Sequence, residues 1–240
     1  MSPLCQTHIR VEQLHEMEPF YPLHAFVCER CWLVQLPPVV SPKHLFTEYA
    51  YFSSYSSSWV AHARGFVDMA VGHFALSATS KVMEVASNDG YLLQHFVQKG
   101  IPCLGIEPAA NVAAAAVEKG IPTVVQFVGR ASASAIVKEH GQADLLIGNN
   151  VLAHVPDLAD FLGGLKVLLA PGGTLTMEFP HVLRLIADNQ FDTIYHEHFS
   201  YFSLLAVENI FAMHGLRVID VTELPTHGGS LRIHACHAGS

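Results

Sequence analysis

Between residues 81 and 180 the chain alternates short apolar runs with stretches of helical spacing. The apolar runs lie at 82–85, 101–106, 121–127, 143–150 and 174–179. Between them, at 92–97, 109–119, 131–140 and 158–169, apolar residues recur at helical intervals. Short runs bounded by turn residues read as buried strands, and the longer periodic stretches as helices. Strand alternating with helix predicts an α/β domain with a mostly parallel, doubly wound sheet. Pro171, Gly172 and Gly173 predict a turn before the last of these strands. Residues 59–76 add a helix upstream, despite two glycines. Residues 207–237 read helix, Gly215, strand, loop, strand, so a hairpin with an antiparallel strand closes the sheet.

Ligands of such a sheet sit at the carboxyl ends of its strands. Those ends carry residues 86–90, Glu107, residues 149–154 and residues 178–181. The stretch 81–107 is the most informative. Val82, Met83 and Val85 lead into a tight polar turn, Ala86-Ser87-Asn88-Asp89-Gly90, and the next strand ends in Glu107. The small turn residues let a ligand approach the backbone, and Glu107 can accept hydrogen bonds from both hydroxyls of a ribose. A dinucleotide site asks for G-x-G-x-x-G and a helix N-terminus aimed at a pyrophosphate. This turn has one glycine, and Asp89, with Glu84 close before it, would repel a pyrophosphate. Acid is favourable beside an ammonium and a sulfonium. S-adenosylmethionine (SAM) therefore fits better than NAD; an ordinary buried strand and turn is the competing reading.

Composition narrows the classes. Half of the 240 residues are hydrophobic and 14% are charged, which gives a globular chain with one large core, alone or with a small attachment. A net charge of -8, with 13 Lys and Arg, argues against a broad nucleic-acid surface. One phosphorylated small molecule needs only one or two cations. No apolar run approaches the roughly 18–20 residues of a membrane span. The N-terminus lacks the basic start and apolar core of a signal peptide. Five cysteines with one close pair do not make a disulfide framework, so a cytoplasmic, reducing compartment is expected.

Candidate chemistry lies in four further places. Cys28-x-x-Cys31 is half of a zinc ribbon, and Cys5 and His8 have a spacing that can complete a set; a remnant that binds no metal is the alternative. Residues 48–62 are dense in aromatics and hydroxyls, and read either as a lid packed on the domain or as a lid touching the substrate. Tyr195-His196-Glu197-His198 places three titratable groups and a phenol in four residues. In an extended segment Tyr195 and Glu197 share one face, and His196 and His198 the other. General acid–base work is the sharper reading of this cluster, beside a metal site or structure alone. Last, residues 226–232 form a polar loop that is either a plain turn or a place where Arg232 and backbone N–H groups meet a substrate oxygen or phosphate.

At this point the chain resembles the C-methyltransferases that act on nucleotide-linked keto-deoxysugars. The stretches P-F-Y-P-L-H, C-E-R-C-W-L-V-Q-L, Y-A-Y-F-S-S-Y-S-S-S-W, E-V-A-S-N-D-G-Y-L-L, N-N-V-L-A-H-V-P-D, E-F-P-H, Y-H-E-H-F-S-Y-F-S-L and H-G-G-S-L-R carry the likeness, which spans nearly the whole chain. It implies a Rossmann-like class I methyltransferase fold behind a small remnant of a zinc-ribbon module. Residues 1–45 would be the partial zinc-binding module, 46–75 an aromatic lid and lead-in helix, and 76–240 the SAM-binding domain. SAM contacts map onto Ala86, Ser87, Asn88, Asp89, Gly90, Glu107, Pro108 and Asn149, and a zinc half-site onto Cys28 and Cys31. The active site maps onto Tyr49, Asn150, His154, Tyr195, Glu197 and His198, with His198 as base. A nucleotide-linked sugar, with thymidine diphosphate as the nucleotide, is the implied substrate. Members of that family normally open with a further C-x-x-C and continue into a second α/β domain. This chain is therefore expected to be a fragment or remnant, and a SAM-binding domain without turnover is the rival reading, beside an O- or N-methyltransferase.

The expected reaction removes a proton next to a ketone. His198 takes the proton, Glu197 sets the tautomer of His198 and raises its basicity, and Tyr195 or His154 donates to the oxyanion.

Overall fold

The computed structural model of the chain describes residues 1–5, 9–41 and 49–240. A sheet of seven strands forms its centre, in the order β5-β4-β3-β6-β7-β10-β9. These are β3 (Val82–Val85), β4 (Cys103–Ile106), β5 (Thr123–Val124), β6 (Ala143–Asn149), β7 (Leu169–Pro180), β9 (Leu216–Leu224) and β10 (Ser230–His237). The strands β5, β4, β3, β6 and β7 are parallel, and β10 runs antiparallel to both β7 and β9. The expected doubly wound sheet with an antiparallel closing strand is thus present. The chain leaves β3 toward β4 and β5, then returns to β6 on the other side of β3, which creates a switch point between β3 and β6.

The apolar runs are continuous because both sheet faces are covered. Along β6, Leu145 and Ile147 pack with Phe66 and Val67 of helix α1 (Ser57–His73) and Leu93 and Phe96 of α2 (Leu93–Gln98). Leu146 packs on the other face with Ile136 of α4 (Arg130–His140), Leu162 of α5 (Leu158–Leu168) and Phe211 of α7 (Leu204–Met213). Two further helices, α3 (Ala110–Glu118) and α6 (Val182–Ala187), complete the layers. Side-chain caps set three helix starts: Ser56 accepts from the Trp59 N–H, Asp157 from Asp160 and Ser203 from Ala206.

Two element boundaries differ from expectation. The run 121–127 yields only the two-residue edge strand β5. The turn at 171–173 does not separate two elements. Ala143 pairs with Leu169 and Leu145 with Thr174, so residues 170–173 bulge out of one long strand.

The N-terminal residues are joined to the segment at 199–201. Strands β1 (Phe26–Val27) and β2 (Val34–Gln35) pair, and β2 also pairs with β8 (Ser200–Tyr201). The Leu36 N–H donates to the Phe199 carbonyl at 2.9 Å, just beyond the His-Glu-His turn. Among the described residues no helix is long and apolar enough to cross a membrane.

Candidate active site

A cavity of about 380 Å³ opens over the carboxyl ends of the central strands. Of the fourteen residues expected to hold SAM or perform chemistry, ten line it: Tyr49, Ala86, Asn88, Glu107, Pro108, Asn149, Asn150, His154, Tyr195 and His198. Ser87, Asp89, Gly90 and Glu197 do not.

Glu107 is fixed by its own neighbourhood. The Asn88 N–H donates to Oε2 and the Ala109 N–H to Oε1, both at 2.9 Å. Each oxygen keeps a lone pair for a further donor. Burial pushes the carboxyl up, while these two backbone donors pull it back. Asn88 can serve here because it adopts a left-handed conformation, φ 50°. Its side chain also accepts from the Ser53 N–H at 2.9 Å and donates to the Tyr51 carbonyl at 3.1 Å. Asn111 does the same for Tyr49, accepting from its N–H at 3.1 Å and donating to its carbonyl at 2.7 Å. The aromatic segment is thereby strapped over the turn, with Tyr49 and Tyr51 lining the cavity. Glu48, the first residue of the expected lid stretch, lies outside the described residues.

The acids expected beside a sulfonium are elsewhere. Asp89 forms an ion pair with Lys119 at 2.9 Å and is bonded to the Ser54 hydroxyl, which turns it away from the cavity. Glu84 is fully buried in β3, and neither oxygen has a hydrogen-bond partner among the described residues. Burial holds its carboxyl well above the usual range, with only the Tyr91 phenol pulling the other way. Neither acid places a negative charge in the cavity. Ser87 is buried against Gly105. Gly90 serves the fold: its φ is 75°, and a Cβ there would meet Ile121 Cδ1 at 2.2 Å.

The Tyr195–His198 segment is a turn and not extended. The His198 N–H donates to the Tyr195 carbonyl at 3.0 Å, which brings the two side chains to one side. The Tyr195 hydroxyl then lies 2.9 Å from His198 Nε2. His198 Nδ1 lies 3.0 Å from the Thr193 carbonyl, which can only accept. Nδ1 therefore carries the proton, and Nε2 faces the Tyr195 hydroxyl as acceptor. The expectation that Glu197 sets this tautomer is corrected: the backbone carbonyl of Thr193 does so. The expectation of raised basicity is corrected too. Burial pushes the imidazole of His198 down to about 3, with His154 adding to the effect. Burial likewise pushes the Tyr195 phenol up. Glu197 is buried and gives its backbone carbonyl to His154 Nδ1 at 2.9 Å. Burial pushes His154 down to about 4. His196 points away, to the Pro22 carbonyl at 3.0 Å.

Sequence reasoning passed over several cavity residues. Tyr91 follows the first turn; its hydroxyl accepts from Asn149 Nδ2 at 3.4 Å, and its ring stacks on Trp59 at 5.9 Å. Phe127 ends an apolar run that carried no functional signal. His227 lines the cavity from the loop between β9 and β10. In that loop the expectation for Arg232 is corrected. It is buried in β10, bonded to Glu178, with its guanidinium 4.3 Å above the Phe66 ring, and does not line the cavity. The Oδ1 atoms of Asn149 and Asn150 are buried without a partner among the described residues. A second, apolar cleft of about 340 Å³ continues from the first, past Ala86, Pro108 and Phe127 to Val128 and Phe161.

These features fit an adenosyl ligand: a cradled carboxylate for a ribose, an adjoining apolar cleft for a base, and unpaired amide acceptors at the end of β6. Cys28 and Cys31 remain a half-site among the described residues. Among the described residues no third His, Cys, Asp or Glu joins the two thiols, and His8 lies outside the described residues.

Comparison with known proteins bears on both regions. A methyltransferase domain matches residues 49–221, and a family described as "Putative zinc binding domain" matches residues 1–46. The C-methyltransferase NovU of Streptomyces niveus is 40% identical over 223 residues, which cover 93% of this chain and 53% of that protein. The chain thus spans about half the length of the curated relative it matches. The magnesium protoporphyrin IX methyltransferase of Synechocystis PCC 6803, solved with bound SAH, superposes with a TM-score of 0.58 at 16% identity, over 74% of this chain and 83% of that one. The PH0226 protein of Pyrococcus horikoshii OT3 gives 0.61 at 12% identity, over 81% and 97%. These likenesses show a Rossmann-like class I methyltransferase fold.

Proposed function

This chain belongs to the methyltransferase-domain family, and from that premise we propose that it uses SAM to methylate a carbon next to the ketone of a nucleotide-linked deoxysugar, with thymidine diphosphate as the nucleotide. The observation that carries this reading is the pair His198 Nε2 and Tyr195 hydroxyl in the cavity, with His198 Nδ1 committed to Thr193. Methylation of a hydroxyl or amine asks for a single base. A carbon next to a ketone asks for a base and, beside it, a donor for the enolate oxygen. The 40% identity to a C-methyltransferase supports the same choice.

SAM supplies an electrophilic methyl group on a sulfonium. Glu107 would hold its ribose hydroxyls, with Ala86, Asn88, Pro108 and Asn149 around it, and the apolar cleft would take the adenine. On the substrate side, His198 Nε2 accepts the carbon-bound proton. Being neutral at physiological pH, the imidazole is in the state a base requires. Its burial weakens it, so the reaction depends on the imidazolium forming beside an enolate of opposite charge. The Tyr195 hydroxyl, which rests on Nε2, turns to the ketone oxygen and donates to it. Tyr49, Asn150 and His154 close the same side of the cavity. The carbonyl of Glu197 orients His154.

Proton removal is separable from methyl transfer. In deuterated water, a thymidine diphosphate 4-keto-deoxysugar incubated with the chain should gain deuterium next to its ketone without SAM. His198→Ala should abolish the gain. A folded chain that binds micromolar SAM yet exchanges nothing would refute carbon methylation and leave the O-/N-methyl or non-catalytic readings.

A further inference from the structure

His227 is a histidine where the backbone would more readily take glycine. Its φ is 50° and its ψ 39°, in the left-handed region, and the two residues that follow are glycines, also at positive φ. A side chain in that region carries backbone strain, and strain of this kind concentrates at functional sites. The loop is held from outside. The Thr226 hydroxyl donates to Glu178 Oε1 at 2.8 Å, Ser230 Oγ to the Thr226 carbonyl at 2.9 Å, and Gln190 Nε2 to the Gly228 carbonyl at 2.8 Å. Glu178 is in turn bonded to His62 and Arg232. This buried cluster fixes Thr226, and so fixes where the next side chain points. That side chain lines the cavity, with its ring edge-on to Trp59 at 5.1 Å.

Its position separates it from the adenosyl side. Glu107 and Asn88 stand at the ends of β4 and β3, whereas His227 precedes β10, three strands beyond β3. At the usual strand spacing that is about 14 Å across the sheet. The loop also abuts the end of β7, where the His181 N–H donates to the Gly229 carbonyl at 3.0 Å.

We infer that His227 contacts the acceptor substrate, its imidazole hydrogen-bonding a hydroxyl or carbonyl oxygen of the sugar from the side of the cavity opposite Glu107. This rests on the sugar reading above. Burial pushes the imidazole of His227 down, which suits a neutral oxygen.

The test measures deuterium exchange into a thymidine diphosphate 4-keto-deoxysugar, SAM affinity by calorimetry, and the thermal midpoint, for the wild type, His227→Gly and His227→Asn. His227→Gly should lower kcat/KM for exchange at least 10-fold, mainly through KM. Its SAM affinity should stay within about 2-fold and its midpoint close to the wild type. His227→Asn, which tolerates the left-handed backbone and keeps a donor, should recover most of the loss. Unchanged exchange in His227→Gly would overturn the inference. So would a parallel loss of SAM affinity, which would assign the contact to the cosubstrate, or a midpoint that falls with activity, which would make the ring a packing element. No exchange by the wild type would remove the sugar reading itself, and this inference with it.

Discussion

The Tyr195 hydroxyl and His198 Nε2 lie 2.9 Å apart, while His198 Nδ1 is held by the Thr193 carbonyl at 3.0 Å. One imidazole nitrogen is spent on orientation and the other is left for chemistry. Two groups that act as one unit should lose function together. Tyr195→Phe and His198→Ala are each expected to lower turnover by about 10²- to 10⁴-fold, and the double variant little more. SAM affinity should be unchanged in all three. Additive losses in a single-turnover assay would show that the pair does not act as a unit.

The buried imidazoles make stability depend on pH. His198 and His154 titrate at about 3 and about 4 in the folded chain, below the ordinary value of 6.5. Between these values and 6.5 the unfolded chain binds more protons, so stability is full above pH 6.5 and is lost as pH falls toward 4. The slope is about 1.4 kcal/mol per pH unit for each imidazole. Urea unfolding at pH 7, 6 and 5 should show a shallower loss for His198→Phe than for the wild type. Equal slopes would mean that His198 is not held neutral by burial.

Glu107 and Asp89 both close strand-end turns, but only Glu107 lines the cavity. Glu107→Gln should weaken SAM binding about 10- to 100-fold, the worth of a charged hydrogen bond. Asp89→Asn should leave the affinity within about 3-fold and cost about 1 kcal/mol of stability through Lys119 and Ser54. Calorimetry on the two variants checks this; a large loss of affinity in Asp89→Asn would place its carboxylate at the ligand after all.

Gly90 has φ 75° and no room for a methyl group, because Ile121 Cδ1 already lies where the Cβ would be. Gly90→Ala should destabilise the chain by about 2 kcal/mol or more, through backbone strain and overpacking together. Chemical denaturation reads this directly. Relief by Gly90→Ala with Ile121→Val would confirm the clash as the cause.

The first turn shows what was legible. Glu107 could be found from position alone, since it ends a strand beside the switch point and its carboxylate is held by N–H groups one strand over and two residues on. Asp89, three residues after Ala86, looked equally poised. Its direction depended on Lys119, thirty residues away at the end of α3. Tyr195 and His198 were legible as residues, but their geometry was not. The alternation expected of an extended segment gave way to a turn clamped by β8 and the N-terminal strands. Trp59, Tyr91 and His227 lay inside stretches singled out in the sequence but were not themselves marked, because each faces the cavity through packing among three separate segments.

The sequence by itself determined the strands of the central sheet, most of the helices, their order along the chain and the end of the sheet where polar residues gather. Those follow from short continuous apolar runs, a helical period of 3.6 residues and turn residues, all of which act over a few positions. Only the tertiary structure decided which way each polar side chain at that end points and which proton it holds. Those outcomes rest on partners far apart in the chain: His196 turned by Pro22, Arg232 drawn inward by Glu178, and His198 held neutral by burial. The desolvation that sets such charges exists only once the layers have closed around them.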